Sequence, residues 1–213
     1  MTRWSIVAAV ALLGLACHEP TAPPDHTPAY GFTLGPPPGD VFHWPANRLP
    51  VRYFADTRGP MRAYVQRAIG LWEDQFLYGE FRGTLVADSA DADVIVTWAD
   101  SVPADVPPDN GAPLDACNGF TTLIFDGSGT ALAEPIHVQL SVLIVGATPA
   151  QLAACMRRTA IHELGHSLGL WQEANDSLVI MNFTPWVPVP SDKDRRTVEY
   201  LYHSTPNIAP PPR

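Results

Sequence analysis

Apolar and polar positions alternate in several short runs of this chain. Leu49-Pro50-Val51-Arg52-Tyr53-Phe54, Phe81 to Val86, and Ala92-Asp93-Val94-Ile95-Val96-Thr97-Trp98 each predict a strand. Phe120 to Phe125 and Ile136 to Val145 predict two more. After the first strand the period changes. Val65, Ile69, Trp72 and Phe76 recur at helical spacing and predict an amphipathic helix from Met61 to Tyr78. A second helix opens at Thr148-Pro149-Ala150-Gln151, with threonine at the N-cap, proline at the first helical position and glutamine at the third. It is expected to stop at Gly169, which can take the left-handed backbone needed for a sharp exit. Ser191-Asp192-Lys193-Asp194 caps a third helix running to about His203, with Val198, Leu201 and Tyr202 as its apolar side. The stretch from Ser101 to Asn118, rich in Pro, Asp, Asn and Gly, reads as surface loop without calcium-ligand spacing. Strands and helices in this order make an α+β domain.

The two ends of the chain lack such periodicity. Residues 18–39 carry seven prolines and read as an extended tether; Pro206 to Arg213 reads as a disordered tail. The folded domain is thereby expected over 40–205. Residues 1–16 read as an export signal, with Arg3 as its positive region and Ile6 to Ala16 as an apolar core too short to span a bilayer. The signal runs into Cys17 after Leu13-Gly14-Leu15-Ala16, similar to a bacterial lipoprotein signal. Cys17 is then expected to become a lipidated N-terminus, and residues 17–39 a spacer holding the domain off a membrane. The expected location is the periplasm or cell exterior, with membrane attachment through that lipid alone; a plain secretory signal is the alternative.

Export changes the reading of the remaining cysteines. Cys117 and Cys155 form an even pair in an oxidising compartment, so a disulfide is expected, with two buried thiols as the alternative. The formal charge of −9 becomes −10 once Arg3 is removed, 12 basic against 22 acidic residues. That balance argues against a nucleic-acid partner, which requires clustered Lys and Arg. A monomer is the default expectation.

The candidate chemistry is concentrated in His162-Glu163-Leu164-Gly165-His166, followed by Gly169 and Met181. Residues four apart share one helix face, so His162 and His166 can turn ring nitrogens toward one point, with Glu163 beside it. Two histidines on an ordinary helix would give the same five letters by chance. The company of the motif argues otherwise. Arg158 to Trp171, Val179-Ile180-Met181 and the closing Ser191 to Tyr202 helix together resemble the metzincins, zinc metalloproteases with HExxHxxGxxH and a downstream Met-turn, and most of all their matrixin-like branch.

The resemblance covers roughly residues 49–203 and implies a twisted, mostly parallel sheet of four to five strands. That sheet would have an antiparallel edge strand and pack on long helices, one of them carrying the motif. It implies one catalytic zinc on His162, His166 and a third ligand, with Glu163 as general base and Met181 as a structural floor beneath the metal. It also implies an extended peptide substrate added to an edge strand, expected within Ile136 to Val145. Phe183 stands where some branches of the family have a zinc-ligating tyrosine.

The departure lies at the third ligand. The family position, three after Gly169, is Gln172, whose amide is a poor zinc ligand. Some bacterial relatives carry one extra residue in this turn, which moves the position to Glu173. Glu173 is the preferred ligand, with Asp176, Gln172 and the later Glu199 as alternatives. A carboxylate in that place would make zinc a weaker Lewis acid than three imidazoles do. The sequence therefore predicts an exported zinc endopeptidase. The rival reading is a metzincin-like fold without catalysis, serving as a binding or surface-interaction lipoprotein; retention of Glu163 favours the enzyme.

Overall fold

The computed structural model describes residues 27–99, 117–142 and 147–213. The signal segment, Cys17, most of the expected Ser101–Asn118 loop and residues 143–145 of the expected last strand lie outside them. Among the described residues the chain is α+β, with five strands in one mostly parallel sheet and three α-helices. In chain order these are β1 (Val51–Ala55), α1 (Met61–Glu73), β2 (Gly83–Val86), β3 (Val94–Trp98), β4 (Cys117–Thr122), β5 (Ile136–Val142), α2 (Pro149–Ser167) and α3 (Asp192–Tyr202).

Sheet order is β2-β1-β3-β5-β4. The first four of these neighbours run parallel, and β4 alone is antiparallel, pairing Gly119 with Leu140 and Thr121 with Val138. The alternation seen in the sequence decides which face is covered. Val51, Tyr53 and Ala55 of β1, Val94, Val96 and Trp98 of β3, and Ile136, Val138 and Leu140 of β5 are all buried, each set on one side of its strand. Helices α1 and α2 pack on the sheet and on each other. Polar ties fix the second helix in place: Trp72 Nε1 donates to Ile161 O at 2.8 Å, Trp44 Nε1 to Ser167 O at 2.8 Å, and Tyr53 Oη lies 3.2 Å from Ser167 Oγ.

Several expectations are corrected here. The segment Ile136–Val142 is an internal strand, not an edge, because both its sides are paired. The edge belongs to β4, which begins at Cys117, inside the stretch read as loop. Helix α1 ends at Glu73 rather than Tyr78; Phe76 still reaches the core through the turn that follows, packing on Phe81 and Tyr202, while Leu77 and Tyr78 are exposed.

The folded body also extends beyond 40–205 at both ends. Phe32 is buried, Tyr30 Oη donates to Asp194 Oδ1 at 2.7 Å, and Trp171 N donates to Phe32 O at 2.9 Å, so residues 29–33 are part of the domain and not tether. At the other end Ile208 is buried, Leu132 N donates to Ala209 O at 2.9 Å, and Arg213 reaches Asp93. Asp93, 1% exposed, accepts from the guanidiniums of Arg48, Arg52 and Arg213. Proline richness misled in both places, because a few apolar side chains among prolines are enough to dock an extended segment.

Candidate metal centre

The motif residues occupy the last turns of α2. Its start is set by a capping box in which Thr148 accepts from Gln151 N and Gln151 accepts from Thr148 N, with Pro149 at the first position. Its end is set by Gly169, whose φ of 107° is left-handed. A Cβ there would overlap the carbonyl oxygen of Phe42. The turn at Gly169 brings the chain back under the helix, with Leu170 N donating to Gly165 O at 3.2 Å. Leu170 O then accepts from His166 Nδ1 at 2.6 Å.

His162 is held in the same manner, its Nδ1 2.8 Å from Ile180 O. A carbonyl only accepts, so each ring donates from Nδ1 and turns its Nε2, the nitrogen that would ligate a metal, to the same point. The two Nε2 atoms are 3.1 Å apart. Glu173 Oε1 completes a triangle, 3.2 Å from His166 Nε2 and 3.3 Å from His162 Nε2. Tetrahedral zinc with bonds of about 2.0–2.1 Å to N and O ligands sets its ligands roughly 3.3–3.4 Å apart, so these three atoms fit one face of such a site. Burial would raise the Glu173 carboxyl, but its hydrogen bonds to His162 and His166 outweigh this and bring it to about 2. For His162 burial opposes protonation, yet Glu173 and Glu163 beside it raise the pKa. The two shifts are mutual, each group's charge favouring the charged form of the other.

The other ligand candidates are turned elsewhere. Gln172 points the opposite way and donates from Nε2 to Thr33 O at 2.6 Å. Asp176 pairs with Lys193 and accepts from Leu178 N. Glu199 lies on α3, outside the cluster.

Glu163 is buried, with Oε1 4.0 Å from His162 Nε2. Its other oxygen accepts from Thr121 Oγ1 on β4 at 2.7 Å. Met181 is fully buried under the helix; Gly165 lacks a side chain where the Met181 sulfur and the Trp72 ring approach. The Met181 turn is itself suspended from Asp194, which accepts from Ile180 N at 3.0 Å and Met181 N at 3.4 Å as well as capping α3. Cys117 and Cys155 form a disulfide that joins the start of β4 to α2.

A cleft of about 440 Å³ opens beside Glu163, His166 and Glu173, walled by Leu34, Phe120, Leu123, Trp171 and Phe183. Phe120 and Phe183 are largely exposed on its rim. On the His162 side a smaller cavity of about 50 Å³ lies between Cys117, Thr159, Phe183 and Pro185.

Sequence reasoning brought His162, Glu163, His166, Glu173 and Met181 together. It missed Thr121, Gly119, Leu34 and the wider role of Asp194. Asn118-Gly119 resembles a turn signal, and no local rule distinguishes a glycine required by a turn from one required by a neighbouring carboxylate. Asp194 was legible only as half of a capping box. No protein-family model matches the chain.

Proposed function

We propose that this protein is a zinc-dependent endopeptidase of metzincin-like type. The observation that carries the reading is the triangle of His162 Nε2, His166 Nε2 and Glu173 Oε1, at separations of 3.1–3.3 Å, with the Glu163 carboxylate beside it. The three residues would hold one zinc ion and leave a fourth position open. When bound, zinc would supply Lewis acidity and lower the pKa of a coordinated water toward neutrality.

The chain's own groups account for the rest. Thr121 engages Glu163 Oε2, so Oε1 faces the triangle and is free to take a proton from the attacking water and return it to the leaving amine. Among the described residues β4 has a strand partner on one side only, so backbone N–H and C=O groups of its other side would pair with an extended peptide. Such a peptide would lie across Glu163, with room for bulky apolar side chains against Leu34, Leu123 and Trp171 and for small ones on the His162 side. Export and a lipid on Cys17 belong to the same proposal, since a tethered enzyme of this kind would act on proteins or peptides outside the cytoplasm.

The test is zinc content of the full-length protein by elemental mass spectrometry after dialysis against a weak chelator, followed by assay on a peptide mixture. About one zinc per chain is expected, lost in Glu173→Ala and kept in Glu163→Gln, with cleavage abolished in both. A folded chain that retains no zinc and cleaves nothing would overturn the enzyme and favour a binding module.

A further inference from the structure

We infer that Gln172 is a positioning residue for the third ligand, clamping the turn that carries Glu173 to the N-terminal segment 31–34. The inference rests on the proposed metal centre and identifies what holds its least constrained member. His162 and His166 sit on a helix, and each ring is anchored by its Nδ1. Glu173 has neither advantage. It lies beyond the helix in irregular chain with its side chain 40% exposed, and among the described residues its carboxylate bonds only the two imidazoles that it would share a metal with.

Its backbone must therefore be fixed from outside. On one side Ala174 N donates to Met181 O at 2.7 Å, and Asn182 Nδ2 donates to Ala174 O at 2.8 Å. On the other side Trp171 N donates to Phe32 O at 2.9 Å, and Gln172 Nε2 donates to Thr33 O at 2.6 Å. Gln172 and Glu173 are neighbours in the bend, and with Gln172 fastened to Thr33 on one side, Glu173 reaches the two histidines on the other.

The segment that receives the clamp is itself docked. Phe32 is buried, Tyr30 Oη bonds Asp194, and Ala29 N donates to Thr197 Oγ1 at 3.0 Å. Gly31 is shaped for the same contact, since a Cβ built on it would overlap Gln172 Oε1. The residue at the family's ligand position thus serves the metal indirectly, by aiming its neighbour.

The test uses the full-length chain carrying Gln172→Ala, Gln172→Met or Gly31→Ala. The last disturbs the contact without changing the ligand turn. Two quantities are read: zinc affinity by competition with a chromogenic chelator, and amide hydrogen exchange across 171–174 in the metal-free protein. All three variants are expected to bind zinc about 10- to 100-fold more weakly, the range for lost outer-shell support, and to exchange faster at Trp171 and Ala174, whose amides are the bonded ones of this stretch. Wild-type affinity and wild-type exchange in Gln172→Met and Gly31→Ala would overturn the clamp. A wild-type chain that binds no zinc would remove the metal-site reading instead, and unchanged exchange in the variants would still decide against the clamp.

Discussion

A side chain at position 119 and the Glu163 carboxylate cannot occupy the same space: a Cβ on Gly119 would fall onto Oε1, Cγ and Cδ of Glu163. Two residues along the same strand, Thr121 donates to that carboxylate. The edge strand is thus cut to fit the Glu163 carboxylate, leaving room for it at Gly119 and holding it at Thr121. Gly119→Ala is expected to displace Glu163 and lower peptide turnover about 100-fold, the scale of a displacement of about 1 Å at a reacting group. Zinc content is expected to stay at the wild-type level. Paired kinetic and elemental measurements check this, and an unimpaired Gly119→Ala enzyme would mean that β4 does not position the base.

A histidine placed at position 172 should not substitute for Glu173. Gln172 faces Thr33 while Glu173 faces His162 and His166. A Glu173→Ala, Gln172→His double variant is therefore expected to bind zinc no better than Glu173→Ala alone, as read by chelator competition. Recovery of tight binding would show that the turn can rotate by one residue.

Asp93 supplies a prediction about acid. Burial would raise its pKa, but the guanidiniums of Arg213, Arg52 and Arg48 and the Arg52 amide together hold the carboxyl well below the usual carboxylate range. A folded-state pKa below the unfolded value contributes stability that is complete above about pH 4 and is lost as pH falls further. Asp93→Asn leaves three guanidiniums around a neutral group and is expected to cost about 3 kcal/mol at pH 7. Urea midpoints at pH 7 and pH 3 should converge in the variant relative to the wild type, since part of the acid sensitivity has been removed.

The Cys117–Cys155 disulfide closes a loop across 38 positions. On the chain-entropy model a crosslink of that span contributes roughly 4 kcal/mol, and measured values run from about 2 to 4 kcal/mol. Because Cys117 starts the strand that carries Gly119 and Thr121, reduction is expected to lower activity at milder conditions than those that unfold the domain. Thermal melts and turnover measured side by side, with and without reductant, check the order of the two losses.

Much of this arrangement is written in local signals. The capping boxes at Thr148 and Ser191 and the left-handed Gly169 fix helix ends by hydrogen bonds within a few residues, so the sequence displays them directly. The buried sides of β1, β3 and β5 follow from period-two alternation for the same reason. What escaped depends on partners far along the chain. Gly119 is a strand residue because of Glu163, and Phe32 is a core residue because of the turn after α2. The choice among Gln172, Glu173 and Asp176 turned on which side of an irregular turn each residue faces, and that is decided by Thr33 and Lys193.

The three residues of the triangle lie within twelve positions, 162–173, yet their supports come from Thr33, Ile180 and, through the Met181 turn, Asp194. A growing chain therefore exposes all three side chains before it has made the helix that steadies them. Contacts between such distant segments form only after the intervening loops close. If the triangle holds a metal as proposed, no fragment ending before Asp194 would contain a finished centre, and competence for metal would come only after the Met181 turn has been hung from Asp194.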